Sequence, residues 1–253
     1  MTTRAPLFSW RDLSLALSLL TRLPVRVPPE YATTRGARAA WAYPLAGAVA
    51  ALLAGCVGWL MLTSGTPASV AAGGALAAQV VITGAMHEDG LADAADGLWG
   101  GWDRARRLEI MKDSRIGSYG VLALILAIGL RWAALTVLAP VLLPAMLTAA
   151  LLSRAVMIVV MGTLPNARDG GLSRRLGRPG RAVMVAGFAL ALLLAAMLVG
   201  AAALGLLTAT IAAAAAAAVI ARRKIGGQTG DILGATQQMA EIACLVAATA
   251  LLV

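Results

Sequence analysis

Residues 39–86 read AAWAYPLAGAVAALLAGCVGWLMLTSGTPASVAAGGALAAQVVITGAM, a run of 48 residues without a charge. A helix that crosses a bilayer needs about 20 predominantly apolar residues. This run is therefore long enough for two spans, which a turn at Ser64–Ala68 would separate. A second uncharged run, residues 182–221, is long enough for two more.

The composition of the whole chain supports the same interpretation. Of the 253 residues, 60% are hydrophobic and only 13% are charged, and the mean hydropathy is +0.83. A soluble chain of this length would carry about 25% charged residues, so a water-soluble globule is excluded. We predict an all-α, polytopic membrane helix bundle that forms a single domain over residues 1–253.

Seven membrane spans are predicted from the apolar runs. They lie at residues 39–63, 68–86, 117–139, 141–165, 182–200, 203–221 and 231–253. The preceding residues, 1–38, are predicted to form a cytoplasmic or interfacial segment.

The basic residues predict the orientation of the bundle. Four basic segments, which the spans place on one side, are Arg22–Arg38, Arg104–Arg115, Arg168–Arg181 and Arg222–Lys224. The connections on the other side carry no charge, so the positive-inside rule makes the basic side cytoplasmic, with the N-terminus inside. The net charge of +9 thus reflects topology. We expect no nucleic-acid partner, because the basic residues do not form a soluble face with interleaved aromatics.

Carboxylates are concentrated directly after the second predicted span. Seven of the 12 acidic residues fall within residues 87–116. On a helix that turns about 100° per residue, Asp89, Asp93 and Asp96 share one face. Three like charges repel one another unless a cation or protons intervene, and oxygen-only ligands suit Mg²⁺ or Mn²⁺. We therefore predict that residues 87–116 are an acidic catalytic segment and that these three aspartates bind Mg²⁺ or Mn²⁺.

Taken singly, any one of these acids is more often a helix cap or a solvated charge than a metal ligand. The Asp-Gly pairs at 89–90 and 96–97 are typical of turns, Asp113 could cap a helix, and other acids could pair with the basic residues that follow. The three-carboxylate face favours a metal site because no basic residue lies on it.

The histidine and the arginines within spans are further candidates. His87, the sole histidine, is either a polar residue at the membrane interface or a group that ligates, binds phosphate or accepts a proton. Arg131 and Arg154 are costly within a bilayer, so each should face the interior and find an anion. For Arg131 a structural pair is as well supported as a functional role, whereas Arg154 is predicted to bind phosphate.

A glycine-rich segment, GGQTGDILGA from Gly226, opens the last span. Backbone N–H groups at the start of a helix can bind phosphate, so Gly227, Thr229 and Gly230 are candidate phosphate-binding residues. Asp231 is a candidate metal ligand. Close helix packing through Gly230 and Gly234 is the alternative, and both can hold at once.

Three motifs together resemble those of a known family. They are HEDGLADAADG from His87, RLEIMKDSRIGSYG from Arg107 and the GGQTGDILGA segment. They closely resemble the cobalamin synthase family, the adenosylcobinamide-GDP ribazoletransferases. TRLPV at 21–25, YPLAG at 43–47, Ser153-Arg154 and Ala167-Arg168 also fit that family's pattern.

The resemblance implies a reaction and its partners. A phosphocobamide group would be transferred from adenosylcobinamide-GDP to α-ribazole or its 5′-phosphate, releasing GMP, at the cytoplasmic membrane with Mg²⁺. Arg115, Arg154 and Arg168 would then bind phosphates, Asp113 or His87 would accept the proton, and Asp231 would complete the metal site. The lipid bilayer is the other expected partner, and a homo-oligomer stays open.

Two other functions are consistent with the sequence. Asp93-x-x-Asp96-Gly97 resembles the opening of the CDP-alcohol phosphotransferase motif, although the A-R and the later D-x-x-x-D of that motif are missing. That likeness suggests an enzyme acting on lipid. A transporter is the alternative of a different class, in which the arginines within the spans would bind the substrate.

Overall fold

The computed structural model describes residues 6–253. Within this range the chain forms twelve α-helices and two short 3₁₀ turns, Gly36–Ala42 and Ala139–Val141. The helices are α1 (Arg11–Leu20), α2 (Pro29–Arg35), α3 (Tyr43–Thr63), α4 (Ala68–Thr83), α5 (Met86–Gly100), α6 (Arg104–Ile110), α7 (Ser118–Val137), α8 (Leu142–Thr163), α9 (Leu172–Leu176), α10 (Arg181–Val199), α11 (Ala202–Ile225) and α12 (Gly230–Leu251).

The predicted helical membrane bundle is confirmed. Six helical segments are long and apolar enough to cross a membrane, and the bent pair α4 and α5 raises the number to seven. Each predicted span has a matching helix, and the bounds agree within a few residues except at the 3₁₀ turn before α3 and the end of α11. The chain is a multi-pass membrane protein.

Helix α8 lies at the centre of the bundle. It packs against α3, α10 and α12 and is apolar on nearly all sides, with Leu152 and Ile158 fully buried. A helix that is apolar all round belongs in the interior. Helices α7, α10 and α11 are mostly exposed to the surroundings, as outer helices in contact with lipid should be.

The second span is broken at Gly84–Ala85, where α4 and α5 meet at 86°. Both residues adopt positive φ, +64° for Gly84 and +57° for Ala85. A Cβ on Gly84 would also overlap the side chain of Arg22, so glycine is required there for two reasons. The bend turns α5 against α7 and α12.

The N-terminal segment is held to the bundle by a buried ion pair. Arg35 contacts both carboxylate oxygens of Asp12 at 2.6 Å, and the side chains of Tyr31 and Trp41 donate to the same carboxylate. Asp12 is completely buried. Helix α1 is thereby fixed beside α3.

The basic loops meet at one end of the bundle. The guanidinium of Arg104 donates to the carbonyls of Ile225 and Ala167, and Arg107 donates to that of Lys224. These bonds join three of the four basic segments. The fourth segment begins at the end of α4, where the amide of Arg22 donates to the carbonyl of Ile82.

Candidate active site

A cavity of about 180 Å³ opens between α1, α3, α5, α8, α9 and α12. Its titratable lining residues are His87 and Asp89 from α5, Asp231 from α12, Arg168 from the loop after α8, and Tyr43 from α3. A cavity with a few convergent polar groups is the usual form of a small-molecule site. It contains five of the residues predicted to be functional: His87, Asp89, Arg168, Gly230 and Asp231.

Glycines bring α5 and α12 together at this cavity. A Cβ on Gly234 would lie 3.2 Å from Cα of Gly90, and one on Gly90 would lie 3.1 Å from the carbonyl oxygen of Asp231. The close-packing interpretation is thus confirmed for Gly234, whereas Gly230 has open space around it. Because the backbones approach so closely, Asp231 lies near the acidic face of α5.

Three predicted metal ligands gather beside Arg168. Helix α5 is continuous, so Asp89 and Asp93 share a face, as predicted. The carboxylate of Asp93 is within electrostatic range of Asp89, Asp231 and Asp96 and of the Arg168 guanidinium. In residues 6–253 no three Asp, Glu, His or Cys side chains lie close enough to hold a metal ion by themselves.

Asp96 departs from the expected role. Both of its carboxylate oxygens accept backbone hydrogen bonds, from Gly117 at 2.7 Å and Gly120 at 2.9 Å. These donors belong to the first turn of α7, where N–H groups lack partners within the helix. Asp96 therefore caps α7, a role that was not expected from the sequence, and its binding of a metal ion stays a prediction.

Arg168 lines the cavity and has an unused donor. Its Nη2 lies 3.2 Å from Asp231 Oδ2, whereas Nη1 is buried and has no partner among the described residues. Thr229 caps α12 by accepting the amide of Ile232, and its hydroxyl donates to Asp231. Thr229 is thus a helix cap, and Arg168 retains a free donor that suits a phosphate oxygen.

His87 lies deeper, between the cavity and the centre of the bundle. Its side chain is 3% exposed, and neither ring nitrogen has a partner in residues 6–253. An unsatisfied buried polar group calls for an explanation. Since His87 also lines the cavity, its ring nitrogens are suited to a ligand there.

The arginines within the spans are paired, which bears on the prediction for Arg154. Arg154 contacts Glu241 at 2.7 Å and is 2% exposed. Arg131 contacts Glu88 at 2.7 Å and Glu241 at 3.0 Å. Two arginines and two glutamates make this buried network neutral. Arg154 is engaged by a protein carboxylate and does not line the cavity, so the structure does not place it as a phosphate ligand.

The glutamates of this network were missed by sequence reasoning. The amides of Gln79, Gln237 and Gln238 hydrogen-bond to the same carboxylates or to one another. Of the two glutamates, only Glu241 falls within a predicted span. An acid within a span needs a cation as an arginine there needs an anion, and that was the available signal for Glu241.

Asp113 and Arg115 lie on the exposed loop between α6 and α7, outside the cavity lining. Arg115 Nη2 donates to Asp113 Oδ2 at 2.7 Å. The hydrogen bonds from the Arg115 guanidinium and backbone amide lower the pKa of Asp113 to about 2. A carboxylate of such low pKa is a weak base, so Asp113 as placed is ill suited to the predicted proton transfer.

Gly227 has a packing role. A Cβ there would overlap the carbonyl oxygen of Pro165, because the two loops pair through the backbone: Gln228 N donates to Pro165 O and Ala167 N donates to Gln228 O, each at 2.8 Å. This pairing positions Arg168 beside α12, and the phosphate contact of Gly227 stays a prediction.

Comparison with known proteins identifies the family. The profile of the family described as Cobalamin-5-phosphate synthase matches residues 12–249. A relative from Bradyrhizobium diazoefficiens is 47% identical over 94% of this chain and 93% of its own, and one from Rhizobium meliloti is 40% identical over 93% and 95%. A third, from Shewanella baltica, is 41% identical over 93% and 94%. All three are named adenosylcobinamide-GDP ribazoletransferase.

No solved structure matches the chain. The relatives favour neither a lipid phosphotransferase nor a transporter, and the pairing of both arginines removes the free cations on which the transporter hypothesis depended. Since the family profile covers almost the whole sequence, the chain belongs to the Cobalamin-5-phosphate synthase family.

Proposed function

We propose that this transferase moves the phosphocobamide group of adenosylcobinamide-GDP to α-ribazole or its 5′-phosphate and releases GMP. The observation that carries the proposal is the cavity lined by Asp89, Asp231 and Arg168, whose Nη1 has no partner among the described residues. The family membership and the names of full-length relatives support it.

The reaction is a phosphoryl-type transfer. A hydroxyl of the acceptor attacks the phosphorus that carries the cobinamide, a P–O bond forms, and the diphosphate P–O bond breaks. GMP leaves with the electron pair of the bridging oxygen, and the hydroxyl loses its proton. Such chemistry depends mainly on positioning and on neutralising phosphate charge.

Arg168 is the residue that we assign to the diphosphate. Its Nη2 contacts Asp231 at 3.2 Å, and its Nη1 has no partner among the described residues. Arginine holds phosphate oxygens through a rigid set of donors. The pairing of the loops at Gln228 keeps the residue beside α12.

Mg²⁺ is the cofactor that we propose. When bound, it would neutralise diphosphate charge and polarise the reacting phosphate. Oxygen-only donors fit this ion, which is usually held by one or two carboxylates together with substrate phosphates. Asp89, Asp93 and Asp231 would supply those carboxylates, consistent with a site that needs substrate oxygens to be complete.

His87 is the group that we assign to the acceptor hydroxyl. Its two ring nitrogens have no partner among the described residues, so one can accept a hydrogen bond from the hydroxyl and orient it for attack. The donor is a charged nucleotide derivative, which does not cross a bilayer unaided. The cavity that binds it should therefore open to the cytoplasm. We accordingly propose the inner membrane as the location, with the N-terminus inside.

The test is direct. Purified protein in lipid nanodiscs, supplied with Mg²⁺, adenosylcobinamide-GDP and α-ribazole, should release one GMP for each cobamide formed. Removal of α-ribazole should stop GMP release. Absence of GMP with both substrates present would refute the proposed function.

A further inference from the structure

The cavity has two unlike sides. Helices α5 and α12 and the loop between α8 and α9 supply His87, Asp89, Asp231 and Arg168. Helices α1, α8 and α9 supply a mostly apolar surface, formed by Leu19, Leu20, Met157, Met161, Leu172 and Leu176. We call this surface the apolar wall. It is continuous with the buried core of the bundle.

The apolar wall offers no free hydrogen-bonding side chain. Ser173 lines the same side, but its hydroxyl donates to Gln228 at 2.7 Å. A polar edge placed against the wall would lose its water without gaining partners, which is costly. Methionine sulfur contacts aromatic rings favourably. The wall therefore suits an apolar aromatic ring and disfavours one with several donors and acceptors.

The size of the cavity limits what can enter. About 180 Å³ is close to the ~150 Å³ of a cavity that takes up a benzene ring. An aromatic base fits such a space, whereas the corrin macrocycle of the donor, with its peripheral side chains, is several times larger. The interior is thus left to the smaller of the two substrates, and only the diphosphate of the donor needs to reach Arg168.

We propose that the apolar wall is the subsite for the base of the acceptor nucleoside and that it selects a methylated, apolar bicyclic ring over a purine. This inference rests on the proposed function, since α-ribazole carries such a ring. The ribose then points away from the wall, toward His87 and the carboxylates. Tyr43, at the start of α3, adds a hydroxyl that can donate to the ring's one free nitrogen.

The selectivity experiment compares two acceptors, α-ribazole and the corresponding α-riboside of adenine. A hydrophobic pocket that leaves the polar edge of adenine unpaired should give α-ribazole at least a tenfold advantage, roughly, in kcat/KM. Equal kcat/KM values for the two acceptors would overturn the proposal. Release of no GMP from either acceptor would instead refute the proposed function.

A second experiment tests where the base binds. Met161→Phe, and Leu172→Trp at the more exposed rim, add side-chain volume to the apolar wall and so leave less room for the base. Each should raise KM for α-ribazole several-fold and leave KM for adenosylcobinamide-GDP unchanged. Met197→Phe, on the exposed surface of α10, is the matched control and should change neither. A rise confined to KM for the donor would overturn the assignment.

Binding without turnover gives a readout that is independent of activity. α-Ribazole alone should raise the melting temperature of the parent protein and of Met197→Phe, and should do so less for Leu172→Trp, which is expected to fold because Leu172 is largely exposed. An identical rise in parent and Leu172→Trp would place the base elsewhere.

Discussion

Arg168 is the residue at which the proposed phosphate contact is most open to a simple test. Arg168→Lys keeps the positive charge but loses the planar guanidinium, in which Nη2 contacts Asp231 and Nη1 is unpaired among the described residues. A hydrogen bond to a charged group contributes about 1.5 to 3 kcal/mol. Its loss should lower kcat/KM for the donor by roughly tenfold to hundredfold, as measured by GMP release.

The control for that measurement is Arg174→Lys, on the exposed surface of α9. It should leave kcat/KM within about twofold of the parent, because surface substitutions away from specific contacts have small effects. Equal losses of kcat/KM in the two variants would contradict a specific contact between Arg168 and the diphosphate.

The pH dependence of turnover tests Asp113 at the same scale. Hydrogen bonds from Arg115 lower the pKa of Asp113 to about 2, so the carboxyl group is ionised at every pH above about 4. We expect Asp113→Asn to leave the shape of the kcat/KM profile between pH 5 and pH 9 unchanged, whatever its effect on the level. Loss of an acidic limb in this variant would restore Asp113 as the base.

Helix α5 carries two aspartates whose substitution should have opposite effects. Asp96→Asn removes one of two acceptors that satisfy the first turn of α7, at a cost of about 1.5 to 3 kcal/mol, so its melting temperature should fall. Asp93→Asn removes a charge that lies close to three other carboxylates, so in chelator it should melt at the same temperature as the parent or higher.

The variants Asp93→Asn and Asp96→Asn also test whether Asp93 binds Mg²⁺. Mg²⁺ with a diphosphate should raise the melting temperature of the parent, and Asp93→Asn should lose most of that rise, since ligand binding stabilises only a protein that binds it. Asp96→Asn should retain it. An intact Mg²⁺ response in Asp93→Asn would remove Asp93 from the proposed metal site.

The buried ionic network ties α5 to α7, α8 and α12. Arg131→Leu would leave Glu88 without its arginine partner, and breaking a buried pair from one side costs about 3 to 5 kcal/mol. The double variant with Glu88→Leu keeps the pair of Arg154 and Glu241 and restores neutrality. We expect unfolding measurements to show most of the lost stability recovered, and a double variant as unstable as the single one would contradict this account.

Features of the fold that depend on residues close together in the sequence were predictable. The spans followed from runs of uncharged residues that exceed the thickness of a bilayer, and the shared face of Asp89 and Asp93 followed from helical periodicity. The bend at Gly84–Ala85 was not predictable. The uncharged run ends at Met86, which indicates where a span ends but not the direction of the next helix, and the positive φ of Ala85 has no sequence signal.

The site was less accessible to sequence reasoning because its contacts are remote. Arg154 meets Glu241 from 87 positions away, and Asp96 meets Gly120 from 24 positions away. Such pairs depend on how helices cross in three dimensions. Residue type alone therefore indicated that Arg154 needs an anion, which is correct, but not that the anion is a glutamate of the protein.

Orientation in the membrane is a property of the whole molecule and yields the last prediction. Reporters fused after residues 103, 173 and 224 should read cytoplasmic, because their loops carry the basic residues and are joined by the hydrogen bonds of Arg104 and Arg107. Reporters at residues 65 and 141 should read external. The indole of Trp132, late in α7, donates to the carbonyl of Ser69 at the start of α4, which places these two turns at the opposite end.

A cytoplasmic signal at residue 65 together with an external one at residue 103 would put the cavity on the side that lacks the nucleotide donor. That result would refute the cytoplasmic site even if the helical bundle itself were correct.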